Sequence, residues 1–208
     1  MSDLKLTYFD FHRGRGEPAR LALFMGGVPF EDDRVAMADW PERKAGTPFG
    51  SVPVLLADGK TLTQSNAINR YVGKLTGLYP SDFWQAALCD ETMDAVEDVV
   101  SAIVPTMFMP EDEKKARREE LAEGMITLYL KRLNQNLADH GGRYFADDRL
   151  TIADLKIAML TRQLTSGILD YIPTDIVERV APELVEHFQR VMRDPSIKSY
   201  YAKKGVEV

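Results

Sequence analysis

Val54-Leu55-Leu56-Ala57-Asp58-Gly59-Lys60-Thr61-Leu62-Thr63-Gln64-Ser65 is the stretch on which the fold turns. Asp58-Gly59 lies between two short runs, residues 54–56 and 60–62, that read as strands. An Asp-Gly pair in that place is a strong hairpin signal, because the favoured two-residue turn needs positive φ at both positions. A helix follows at once over 65–75, with Ser65 read as its N-cap and Gly77 beyond its end. The chain therefore closes an antiparallel pair and runs straight into a helix.

Upstream, residues 4–9 have the pattern of a strand and enter the turn His12-Arg13-Gly14-Arg15-Gly16. Residues 17–25 read as a helix, with Pro18 tolerated in the first turn and Gly26-Gly27 as the stop. A further strand fits residues 30–35. A crossover helix implies a parallel strand pair and the hairpin implies an antiparallel one, so βαβ followed by ββα requires a mixed sheet with helices packed on it. The expected fold is an α/β thioredoxin-like domain at residues 1–77, a linker at 78–83 and an all-α helical-bundle domain at 84–208. In the second part, residues 83–107 and 112–138 carry apolar residues at helical spacing and are separated at Pro110. Thr151-Ile152-Ala153-Asp154 has the spacing of a capping box and predicts an apolar helix through Leu164. Pro173, Pro182 and Pro195 punctuate shorter helices.

The composition, 45% hydrophobic and 28% charged with a net charge of −6, is that of an ordinary globular protein. Acidic residues are spread along the chain, which argues against a nucleic-acid partner. The one basic run, at 114–118, is flanked by glutamates and reads as a solvated helix face. A single cysteine, Cys89, excludes an internal disulfide or Cys-rich metal site, and His12, His140 and His187 show no ligand spacing. No metal is expected. No apolar run approaches the roughly 20 residues of a membrane span, and Met1-Ser2-Asp3-Leu4-Lys5 lacks a signal-peptide core, so a cytoplasmic protein is expected.

A thioredoxin-like domain that works by thiol exchange needs a cysteine at the start of its first helix, where the dipole lowers the thiol pKa. None precedes Cys89. A hydroxyl is available instead at Tyr8, and a phenol can donate a hydrogen bond to a sulfur anion because its own pKa, about 10, keeps it protonated. A strand tyrosine serves equally as a packed residue with a satisfied hydroxyl. Gly50-Ser51-Val52-Pro53 suits a bend with a cis bond that frees the Val52 N–H and C=O for an extended peptide, or a plain loop entering a strand. Gln64-Ser65 suits anion binding at a helix N-terminus, or a simple cap.

Together these residues resemble the sigma class of the cytosolic glutathione transferases. The likeness is carried by Leu6-Thr7-Tyr8-Phe9 with Arg13-Gly14-Arg15-Gly16-Glu17, by Ala38-Asp39-Trp40-Pro41, and by Pro48-Phe49-Gly50-Ser51-Val52-Pro53-Val54-Leu55. Leu62-Thr63-Gln64-Ser65-Asn66-Ala67-Ile68 is the most specific block, and Thr151-Ile152-Ala153-Asp154 matches the second domain. The resemblance implies glutathione as co-substrate, without a metal, and a hydrophobic electrophile as its partner in the reaction. It implies that Tyr8 holds the thiolate with Arg15 beside it as electrostatic support. Trp40 and Lys44 would meet the glycine end, with Ser51 in a position that also serves it. Val52 would hold the cysteinyl backbone next to a cis Pro53, and Gln64 and Ser65 would take the γ-glutamyl end. Asp98 would reach the γ-glutamyl amine from the other subunit of a homodimer.

The chain departs from the class in places. The turn after Tyr8 is one residue longer, Ser51 stands where many members carry lysine or another polar residue, and Lys156 and Leu160 replace the usual pocket types. Phe9, Phe11, Met107, Phe108 and Leu160 are candidates for the electrophile pocket or for ordinary core packing. Phe49 is a candidate for a dimer anchor or for the core. The resemblance leaves open conjugation, a prostaglandin-type isomerase or peroxidase, a ligand carrier, and a structural crystallin-like role.

Overall fold

The computed structural model describes residues 3–206. They divide into two units, one containing the chain up to Tyr79 together with the segment from Pro195 onward, the other spanning Pro80–Asp194.

The first unit opens with β1 (Leu4–Phe9), α1 (Glu17–Met25) and β2 (Glu31–Val35), and α2 (Trp40–Lys44) follows a short 3-10 turn. The hairpin β3 (Val54–Ala57) and β4 (Lys60–Thr63) and the helix α3 (Ser65–Leu75) complete its first part. The strands lie in the order β2-β1-β3-β4. β1 and β2 are parallel, as the intervening helix requires, and the other pairs are antiparallel. Asp58 and Gly59 have φ of 49° and 77°, which makes the turn the two-residue type expected of that pair. Leu4, Leu6 and Tyr8 are buried on one face of β1, while Lys5, Thr7 and Phe9 alternate onto the other. Helix α1 buries Ala19, Leu21, Ala22 and Leu23, packing on α3 and α10, and α3 buries Ile68 and Val72.

Helix α3 spans the residues expected of it, but its cap lies one residue earlier than the sequence suggests. Gln64 occupies the cap and Ser65 is the first helical residue. The cap position needs no side-chain acceptor here, since Gln64 makes no capping bond.

The second unit contains α4 (Phe83–Ile103), α5 (Glu111–Leu121), α6 (Thr127–Asp139), α7 (Ile152–Thr165), α8 (Ile176–Val180) and α9 (Pro182–Met192). The break around Pro110 is real, but α4 ends earlier, at Ile103, in a 3-10 turn over Val104–Phe108. Helices α5 and α6 are joined by a single π-helical turn, Ala122–Ile126. All of α7 except Arg162 and Thr165 is buried, the condition of a helix through the middle of a core. Its start is fixed by the capping box: the Asp154 Oδ2 accepts the Thr151 N–H and hydroxyl, each at 2.7 Å. The other oxygen accepts the Phe145 N–H at 3.1 Å and faces the buried His187 Nε2 at 2.9 Å.

The last helix, α10 (Pro195–Lys203), belongs with the first unit, where it packs on α1. Tyr200 lies edge-on to Phe24 at 5.3 Å, and its hydroxyl accepts from Arg34 at 3.3 Å. Among the described residues no helix is long and apolar enough to cross a membrane.

Candidate functional site

Sheet register assembles the candidate site. Thr7 of β1 lies opposite Val54 of β3, and Val54 lies opposite Thr63 of β4. The end of β1 with Tyr8, the approach to β3 with Val52 and Pro53, and the exit of β4 into Gln64 and Ser65 therefore meet at one end of the sheet's strands. Phe9 is paired with Val35, so the chain leaving β2 toward Trp40 starts from the same end. Residues distant in sequence are brought together by the pairing alone.

Tyr8 is buried at this end of β1, an interior strand, and its hydroxyl accepts the Arg15 backbone N–H at 2.9 Å. Among the described residues the hydroxyl proton has no acceptor in the chain. Burial pushes the phenol pKa up, against the opposing pull of the Arg15 amide and the charges of Arg15 and Arg20, so the group stays a donor at neutral pH. Two glycines make room for the ring. A Cβ on Gly14 would fall 2.5 Å from the Tyr8 hydroxyl oxygen, and one on Gly16 would overlap the ring carbons. The Gly-x-Gly of the turn is thus a seat for the tyrosine.

Arg20, also unmarked in the sequence, is fully buried below this point. Its Nε donates to Asp32 Oδ1 at 2.7 Å, and its two terminal nitrogens reach the carbonyl oxygens of Phe11 and Phe9 at 3.1 Å and of Tyr8 at 3.4 Å. The buried Glu17 carboxylate is 3.3 Å away, and the guanidinium lies 5.5 Å from the centre of the Tyr8 ring. One side chain thereby ties down the end of β1 and the turn that follows it. On an amphipathic helix such a residue reads as a surface charge, and only long-range contacts reveal otherwise.

Trp40 is the first residue of α2 and stands edge-on to Phe9 at 5.2 Å. Lys44, at the other end, is exposed and has no carboxylate partner among the described residues. Ser51 is exposed. The Val52–Pro53 peptide is cis, and the Val52 N–H and C=O have no hydrogen-bond partner among the described residues. Gln64 has φ 68° and ψ 117°, a region that non-glycine residues rarely enter. Ser65 is buried at the positive end of α3. Asp98 belongs to the second unit, on the exposed side of α4, where it accepts the Tyr129 hydroxyl at 3.0 Å.

Of the pocket candidates, Leu160 lies in the core of the helical unit, the packing role. Met107 and Phe108 are exposed, and Phe49 is 68% exposed, which removes the core reading for it. Phe9 and Phe11 stack at 5.6 Å and both approach Tyr8 to 5.5 Å. Lys156 is buried and paired with Glu97 at 2.7 Å.

This geometry coincides with family likeness along the whole chain. Residues 4–74 match the model of the glutathione S-transferase N-terminal domain, and residues 97–204 match that of the C-terminal domain. The chain belongs to the glutathione S-transferase family, whose members are enzymes. A glutathione S-transferase of Anopheles gambiae is 33% identical, over 99% of this chain and 98% of that one. Among solved structures, prostaglandin synthase D of Nilaparvata lugens superposes with a TM-score of 0.87 at 33% identity, covering 99% of this chain and 100% of that one. The sigma class transferase of Fasciola hepatica gives a TM-score of 0.82 at 29% identity, covering 100% and 98%.

Proposed function

We propose that this chain is a sigma-type glutathione transferase that ionises the glutathione thiol with the Tyr8 hydroxyl and adds it to small electrophiles. The observation that carries the reading is the state of Tyr8. Its oxygen is held by the Arg15 N–H, its proton is uncommitted within the described chain, and burial keeps it protonated. A free thiol has a pKa of about 8.5 and is only a few per cent ionised at pH 7. Lowering that value by about two units stabilises the anion by roughly 2.7 kcal/mol and makes it the main species.

In this reading Arg15 adds positive charge beside the sulfur, and Lys44 with Trp40 receives the glycine carboxylate, with Ser51 also serving that end. The open Val52 N–H and C=O pair with the cysteinyl backbone as an added strand would. Gln64 and Ser65 take the γ-glutamyl carboxylate at the start of α3. Asp98 acts across the interface of a homodimer on the γ-glutamyl amine, in a cytoplasmic enzyme that uses no metal. The thiolate attacks the electrophilic carbon, a leaving group such as halide departs, and the thiol proton goes to solvent. The protein's work is positioning and stabilisation of the sulfur anion.

A second reading, isomerisation of a prostaglandin-type endoperoxide, is favoured by the likeness to the prostaglandin synthase of Nilaparvata lugens. The two differ in stoichiometry. Conjugation consumes one glutathione per turnover, whereas isomerisation returns it. Assay of the purified protein with a halogenated nitroaromatic, following both adduct and remaining glutathione, is expected to show stoichiometric consumption. Binding of glutathione without turnover of any electrophile would contradict the catalytic reading and leave a carrier.

A further inference from the structure

Helix α2 has an unusual attachment. It is five residues long and buries none of its side chains, so neither helical cooperativity nor core packing holds it in place. Between it and the sheet lies a cleft of about 330 Å³, walled by Lys5, Thr7 and Asp33 from the strands and by Trp40 and Arg43 from the helix. Two contacts among the described residues bridge this space. One is Trp40 against Phe9. The other is a charged bond from Arg43 Nη2 to Asp33 Oδ2 at 2.6 Å.

The carboxylate that receives Arg43 is itself fixed. The same oxygen accepts the Thr7 hydroxyl at 2.8 Å and lies 3.7 Å from Lys5 Nζ, and Thr7 and Asp33 are partners in the β1–β2 register. The Asp33 side chain is 13% exposed while that of Arg43 is 47% exposed, so a sheltered anchor meets an outer arm. Burial alone would raise the Asp33 carboxyl, but the Thr7 hydroxyl, Arg43 and Lys5 together hold it below the usual range, and it is ionised at neutral pH.

We propose that the Arg43–Asp33 bridge, seated on Thr7, is a latch that holds α2 in its glutathione-binding position and so sets glutathione affinity without touching glutathione. The inference rests on the reading of Trp40 and Lys44 as contacts to the glycine end. Those two residues stand at the ends of α2 and move with it. Apparent affinity falls in proportion to the fraction of time the binding conformation is occupied, so a helix seated about one fifth of the time binds about fivefold more weakly. The chemical step takes place at Tyr8, on a different element, and is unaffected once glutathione is bound. Arg43 and Asp33 are positioning residues.

The test compares wild type, Arg43→Met, Arg43→Lys and Asp33→Asn by calorimetric glutathione affinity, by steady-state kinetics and by hydrogen exchange of residues 40–44 without ligand. Arg43→Met and Asp33→Asn are expected to raise Kd and KM for glutathione about three- to tenfold with kcat changed less than about twofold. Both should speed exchange of α2, Arg43→Lys should restore most of each effect, and the double variant should be no worse than either single one. Unchanged affinity in Arg43→Met overturns the proposal. So does weakened affinity with unaltered exchange, which would mean that Arg43 meets glutathione directly. If wild type fails to bind glutathione, the functional reading is at fault, and exchange of α2 in the variants still decides whether the latch exists.

Discussion

The Arg15 backbone N–H points at the Tyr8 hydroxyl oxygen from 2.9 Å, and the turn that makes this possible contains no side chain at Gly14 or Gly16. A donor into the phenol oxygen polarises the O–H bond outward and leaves the proton for an external anion. The turn and the tyrosine therefore form one device, and each can be tested through the other.

Gly16→Ala is the sharpest probe of that device. The added methyl overlaps the Tyr8 ring, and the ring has no room to yield within a buried strand end. The variant is expected to lose about 1–3 kcal/mol of stability and most of its activity. Gly124→Ala, where an added Cβ meets nothing within 4 Å, serves as the control and should be neutral to mildly stabilising. Denaturant unfolding and conjugation rates measured side by side check both.

Arg20→Met removes a fully buried cation, strips the buried Glu17 of its arginine partner and leaves Asp32 to Arg34 and Lys204. Loss of one partner of a buried pair costs about 3–5 kcal/mol, far more than a surface bridge. The midpoint of urea unfolding should fall accordingly, and three backbone carbonyls around Tyr8 each lose one donor, so activity should fall in the remaining folded protein too.

The same cluster sets part of the acid stability. Burial would raise the Asp32 carboxyl, but Arg20 and Arg34 outweigh it and hold it below the ordinary range. A carboxyl lowered in the folded state contributes stability that is full above the unfolded value of about 3.9 and is lost as pH falls through the folded one. Asp32→Asn should therefore lower stability at pH 7 and flatten the decline of the unfolding midpoint below about pH 4. An unchanged acid limb would show that other carboxylates dominate it.

Asn69 on α3 is fully buried, and among the described residues neither its amide nitrogen nor its oxygen has a partner. An unsatisfied buried amide is costly, and leucine is of similar size and a better helix former. Asn69→Leu should stabilise the protein by about 1–2 kcal/mol. A destabilised variant would indicate a water held by the amide.

Much of the fold was legible in short-range pattern. The strand over residues 4–9, the Asp58-Gly59 hairpin and the Thr151–Asp154 capping box all rest on interactions within a few residues, which local sequence encodes. The bounds of α3 were legible but its cap was not, since Gln64 takes the cap through its backbone conformation and not through a side-chain acceptor. Tyr8, Val52 and Gln64 stood out individually, and the register of β1, β3 and β4 is what joins them. Arg20 and Arg43 were invisible because their partners, Asp32 and Asp33, lie on another element. The placement of α10 with the first unit is equally a long-range matter, decided by Tyr200 against Phe24 and Arg34.

The most direct measurement is a spectroscopic pH titration of the thiol of bound glutathione, with wild type beside Tyr8→Phe, which keeps the ring and deletes the hydroxyl. The account predicts a bound-thiol pKa about two units below the free value of about 8.5 in wild type, returning most of the way in the variant. Tight binding with an unshifted pKa in both proteins would contradict it.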